Sequence, residues 1–90
     1  VYSAKEFQSA NLKGSVNFFS EVGDILAMHK HGPNESHISI VAEGSLISRQ
    51  PGAEPVLYTV GTVIDWDFGA EHEWECAQAP AKLVNITKWR

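Results

Sequence analysis

Breaks recur along this chain at strand-length intervals. Gly14, Gly23, Gly32-Pro33-Asn34, Gly44, Pro51-Gly52, Gly61, Gly69 and Pro80 punctuate runs of about six to ten residues rich in Val, Ile, Phe, Tyr and Trp. That spacing predicts an all-β sandwich or barrel. Strands are expected near Val16–Ser20, Asp24–His31, His37–Glu43, Ser45–Gln50, Val56–Val60, Val63–Asp67, His72–Cys76 and Ala81–Trp89. The first dozen residues suit either a short helix or an edge strand.

Size and charge narrow what such a barrel can do. Ninety residues make one expected domain, spanning 1–90, with 43% apolar and 20% charged residues, so disorder is excluded by composition. Seven basic against eleven acidic residues leave a net charge of −4, which argues against nucleic acid as a partner. No apolar run reaches the roughly 20 residues that cross a bilayer, so no membrane association is expected. Val1 to Ala10 lacks a basic region followed by an apolar stretch, so no signal peptide is expected and a cytoplasmic location is the default. Cys76 is the lone cysteine, which rules out an intrachain disulfide. A domain this small without a disulfide is expected to draw stability from a metal, a partner subunit, or both.

The clearest period-2 stretch runs from Ala70 to Cys76. On a strand, Glu71, Glu73 and Glu75 face water while His72, Trp74 and Cys76 share the inner face. Ala and Glu also favour helix, but a helix would scatter the three carboxylates around its cylinder.

Four histidines carry the candidate chemistry: His29, His31, His37 and His72. On a strand, His29 and His31 share a face about 7 Å apart, close enough for both imidazoles to reach one ion. Gly32-Pro33-Asn34 turns the chain, and His37 can return opposite them. His72 needs a long-range approach that a closed β-sandwich supplies. Taken singly, each histidine reads as an ordinary surface or half-buried residue. Taken together, they read as a metal site.

The run from Gly23 through His29 and His31 resembles the first cupin motif: a glycine, five residues, then His-x-His. The family places a glutamate shortly after, followed seven residues later by a glycine. Counting back from Gly44 lands on His37, so His37 stands where the family has its carboxylate ligand. Glu35 is the other candidate, but it lies too far from Gly44. The second cupin motif is similar to Gly61, then Asp67-Phe68-Gly69, His72 and Cys76, with Asp67 in place of the usual proline and Cys76 in place of the usual asparagine. The resemblance covers motif 1 at about 23–44 and motif 2 at about 61–76. It implies a cupin-like jelly-roll barrel of antiparallel strands and one divalent transition metal ion held by His29, His31, His37 and His72. Fe, Mn, Ni, Zn and Cu are not distinguished by imidazole ligands alone.

Four neutral imidazoles leave a divalent ion its full charge, where a glutamate ligand would halve it. Such a site draws anionic or enolisable ligands strongly. Cupins with all-histidine sites include dioxygenases. The leading expectation is therefore a dioxygenase-like oxidoreductase acting on a small oxygen-bearing substrate, either enolisable or a carboxylate. The alternatives are a metal-assisted isomerase or lyase acting on a sugar acid, and a non-catalytic metal-containing binding or sensor module. Glu35 and Trp74 are candidates for the surroundings of the metal or the substrate pocket, with Trp74 favoured as core. Cys76 is expected as a buried, inert thiol. Tyr58 is a further residue able to reach the interior, while Asp65 and Asp67 are expected in water. With the histidines inward, Leu26, Met28, Ile38 and Ile40 should point outward. Apolar residues there need a cover, and the resemblance implies a homodimer through this face.

Overall fold

The punctuated runs do form strands, with turns at the expected breaks Gly23, Pro51-Gly52 and Gly61; Gly14 lies inside a strand, and Gly32-Pro33-Asn34 and Gly69 lie outside the described residues. The computed structural model describes residues 2–9, 12–30, 35–67 and 70–89, in backbone only at 2, 28–30, 35, 36, 88 and 89. Its elements are β1 (Tyr2–Gln8), β2 (Lys13–Phe19), β3 (Ile25–Lys30), β4 (Glu35–Arg49), β5 (Val56–Thr59), β6 (Val63–Asp65) and β7 (Glu71–Trp89), all antiparallel where they pair. The start of the chain is the edge strand rather than the helix, and β1 pairs with β2 from Tyr2↔Phe19 to Gln8↔Lys13. Among the described residues no helix is long and apolar enough to cross a membrane.

Two further expected breaks, Gly44 and Pro80, prove to be bends within strands. The strands expected at His37–Glu43 and Ser45–Gln50 are one strand, β4, and those at His72–Cys76 and Ala81–Trp89 are one strand, β7. The β4–β7 ladder shifts register between Val41 and Glu43, between Glu43 and Ser45, and between Ser45 and Leu46. Extra residues of this kind bend a strand without ending it. Gly44 sits at that bend with φ +69°, and a Cβ there would run into the carbonyl oxygens of Gln78 and Pro80. Only glycine combines this dihedral with so close an approach.

The bends let β4 and β7 serve both layers of the barrel. In one layer β2 and the first half of β4 flank the second half of β7, with β1 and β6 outside them. In the other layer β3 and the second half of β4 flank the first half of β7, with β5 outside. The inner faces meet in a core of Phe19, Val41, Leu46, Trp66, Trp74, Cys76, Ala81 and Leu83.

Side-chain alternation follows the pleat along both long strands. His72, Trp74 and Cys76 are buried between half-buried Glu71, Glu73 and Glu75. The carboxylates are not simply solvated: Arg49 lies 2.8 Å from Glu75 and 3.4 Å from Glu73. Buried His37, Ser39 and Val41 alternate with half-buried Ile38 and Ile40, which take the outer face as expected. Leu26 is a correction. It packs against the core instead of facing out, because β3 carries an irregularity between Leu26 and His29. Leu26 pairs with Trp74 and His29 with His72, so three residues of β3 advance against two of β7 and the parity flips. The side chain of Met28 lies outside the described residues.

Candidate functional site

His37 lies near the start of β4 and His72 near the start of β7, at the ends of the two strands farthest from the Gly44 bend. Both point inward, with 1% and 0% of their surface exposed. Their Nε2 atoms stand 3.1 Å apart and their rings meet edge to face at 4.6 Å between centroids.

That separation fits two arrangements. One ring can donate an N–H to the other, which requires one particular tautomer on each. Alternatively, both nitrogens can direct lone pairs at a shared cation. Two nitrogens about 2.1 Å from one ion lie about 3.0 Å apart at a right angle and about 3.4 Å apart at a tetrahedral one. The observed spacing matches adjacent ligands, and imidazole suits transition metals. The donor chemistry therefore fits the ion that the sequence motifs imply.

The other expected ligands divide cleanly. The backbone of His29 registers directly opposite His72 on β7, while its side chain is outside the described residues. His31 is also outside the described residues. Glu35 pairs through its backbone with Trp89 at the start of β4, and its side chain is likewise not described. Among the described residues no group of three or more His, Cys, Asp or Glu side chains converges on one point.

Aromatic rings enclose the pair. Trp66 lies 4.6 Å from His72 and 6.1 Å from His37, nearly parallel to the latter at 29°. Trp74 meets His72 edge-on at 6.0 Å, and Tyr58 lies 5.9 Å from Trp74. Trp74 is thus both core and neighbour of the imidazoles, and Tyr58 reaches the interior. Trp66 was not singled out by its sequence context. Its signal was the alternation of Ile64 and Trp66 with exposed Asp65 and Asp67, which marks the same inward face.

Hydrogen bonds fix Trp66. Its backbone N–H donates to the His37 carbonyl at 3.0 Å, and its indole N–H donates to Ser39 Oγ at 2.9 Å. Ser39 in turn donates to Asn85 Oδ1 on β7. Cys76 stands farther along β7 with no exposed surface, and burial pushes its thiol pKa up, with the negative charge of Asp24 adding to the effect. A thiol held protonated is a poor nucleophile and a poor metal ligand.

No family model matches the chain, and no curated protein matches its sequence. Solved structures do match in shape. A cupin superfamily protein from Desulfitobacterium hafniense superposes with a TM-score of 0.83 at 12% identity, over 100% of this chain and 79% of that one. KdgF from a Halomonas species gives 0.82 at 16% identity, over 99% and 79%. The Cupin_2 domain of an XRE family transcriptional regulator from Enterobacter cloacae gives 0.81 at 9% identity, over 99% and 97%. With seven antiparallel strands among the described residues, two of them long and bent, and with these neighbours, the chain has the cupin fold.

Proposed function

We propose that this is a small metal-dependent cupin whose imidazole end holds one divalent transition metal and a small oxygen-bearing ligand, with dioxygenase-like oxidation as the leading reaction. The observation that carries this reading is the buried approach of His37 Nε2 to His72 Nε2, at 3.1 Å, from residues 35 positions apart in the chain. His29, in register with His72, and His31 complete the proposed ligand set. Such an ion supplies Lewis acidity toward a substrate oxygen and, with iron, a place for dioxygen. The chain's own residues do the rest. His37 and His72 hold the ion by neutral nitrogens, so its positive charge stays available to attract a carboxylate or an enolisable carbonyl compound. Trp66 and Trp74 keep water from the imidazoles and raise the strength of every polar interaction there. An isomerase or lyase acting on a sugar acid would use the same ligands.

A second reading has an observation of its own. The Cupin_2 domain of the Enterobacter regulator is matched over nearly its whole length. That likeness supports a non-catalytic binding or sensor module of this size, with the imidazole end holding its metal. The outer face of the β2–β7–β4 layer further supports a homodimer. Ile38, Ile40, Val84 and Ile86 are half-buried there, and Phe18, with Lys82 Nζ 5.6 Å from its ring centre, is 38% exposed at the edge, an apolar surface with a charged rim that a second copy of itself would cover. Sedimentation at micromolar concentration should give twice the chain mass; a monomer there removes the dimer.

Metal content of protein purified without a chelating tag tests the main proposal. One equivalent of a transition metal is expected, and His37→Ala or His72→Ala should each lower affinity by about 100-fold or more, beyond what loss of an outer partner costs. Unchanged stoichiometry and affinity in both variants would overturn it. Iron with substrate-dependent oxygen uptake selects oxidation. Tightly held zinc without exchangeable water selects the module.

A further inference from the structure

We infer that Ser39 and Asn85 form a latch that sets Trp66 across the two imidazoles, making Trp66 the positioning residue of the pair; this inference rests on the metal-binding reading above. The latch is directional. Ser39 has one hydroxyl proton, given to Asn85 Oδ1, which leaves its lone pair to accept the Trp66 indole N–H at 2.9 Å. Ser39 and Asn85 are register partners across β4 and β7, so the latch is anchored on both long strands. The Trp66 backbone adds a third tie, to the carbonyl of His37 itself.

Trp74 makes the contrast. Its ring is equally enclosed, yet its Nε1 has no hydrogen-bond partner among the described residues. Packing alone holds Trp74, whereas the ring lying across both imidazoles is bonded through a chain of polar groups. Replacing both members of a buried hydrogen bond with apolar groups of similar shape is close to neutral for folding. Part of the reason to keep Ser39, which is 0% exposed, is stability, since the buried Trp66 N–H would otherwise lack an acceptor; the Asn85 tie, at a half-buried residue, adds direction to that bond. What the chain gains besides is orientation: a fixed indole leaves the His37 and His72 rings one way to face each other.

The test uses the full chain with Co(II) as the probe, reading affinity, the visible absorption of the bound ion, and the imidazole ring shifts of the metal-free protein by NMR. Trp66→Phe keeps a ring and deletes the N–H, while Ser39→Ala deletes its acceptor. Each should weaken Co(II) binding about tenfold, the scale of one hydrogen bond, and should shift the visible bands and the imidazole resonances. The double variant should be no worse than either single one, because both remove the same bond. Ser39→Thr, which keeps the hydroxyl, should restore the wild-type spectrum. If Ser39→Ala fails to fold, the Trp66→Phe arm reads the same bond. Wild-type affinity and spectra in the single variants would overturn the inference while leaving the metal site intact, and so would fully additive losses in the double variant. Failure of the unaltered protein to bind Co(II) would instead overturn the metal reading, and the latch with it.

Discussion

Both ends of the barrel interior are lined by β4 and β7, yet they bury different chemistry. Near the Gly44 bend the inner face is mostly apolar, with Val41, Leu46, Cys76, Ala81 and Leu83 closed by Phe19 from β2, and the buried polar side chains of Asn17 and Ser45 bond to Leu83 O and Gln78 Oε1. At the far end it holds His37, Ser39, Trp66 and His72. Alternation is regular at the far end and broken at the bend, where Ser45 and Leu46 are buried in succession, yet the inner face is shut off from water in both places. The difference teaches that the pleat decides which side chains are buried, while residue type decides what the buried end is for. The apolar end gains from close packing and from removing surface from water. The imidazole end carries the desolvation cost of polar groups and offsets it through hydrogen bonds, with ring nitrogens at its centre.

The largest expected effect abolishes the distinction altogether. Gly44→Val places a side chain against the carbonyls of Gln78 and Pro80 at φ +69°. The backbone strain alone costs about 1–3 kcal/mol, and the clash with backbone adds to it. Circular dichroism should find no cooperative melt; a variant melting like wild type would show that the bend does not hold the two layers together.

The next prediction separates the ends. Leu83→Ala should cost about 2–5 kcal/mol in denaturant titrations, as truncations in packed cores do. Metal at about 100 times its dissociation constant should add about 2.7 kcal/mol to the stability of wild type. That increment should survive in Leu83→Ala and vanish in His37→Ala. An increment lost in both variants would mean that the ends are not distinct.

Much of this was legible in the residues themselves. The breaks at Gly23, Pro51-Gly52 and Gly61 located turns between strands, and the alternation from Ala70 to Cys76 assigned the inner face of β7 correctly. The motif spacing set His29, His31, His37 and His72 around one ion; the structure brings His37 and His72 together, while the side chains of His29 and His31 lie outside the described residues. What escaped depends on long-range placement. Gly44 and Pro80 look like turn residues locally, and only the layer crossing shows that they sit within continuous strands. The irregularity in β3 turns Leu26 inward, and nothing in the run Ile25 to Lys30 marks it. Trp66 acquires its place because β6 pairs Asp65 with Ile38 and Ile64 with Ser39, a register that local sequence does not encode.

Smaller effects sharpen the contrast. Cys76 belongs to the apolar end, and burial holds its thiol protonated. Iodoacetamide at pH 8 should label it only at the rate of unfolding; rapid labelling of native protein would mean that this end is open. The smallest change is expected outside the barrel. Arg49→Met removes partly exposed ion pairs to Glu73 and Glu75 and should cost no more than about 1 kcal/mol, less still in high salt. A larger loss would place part of the stability on the outer face of β7.

Because β7 is hydrogen-bonded to β2, β3 and β4, the strand that presents His72 also carries the amides of the opposite layer. Steadying its first residues should slow the opening of the stretch beyond the bend if the two halves open as one unit. Occupancy of the imidazoles should therefore be readable at a distance, as retarded deuterium uptake between Ala81 and Leu83, at the apolar end of the barrel.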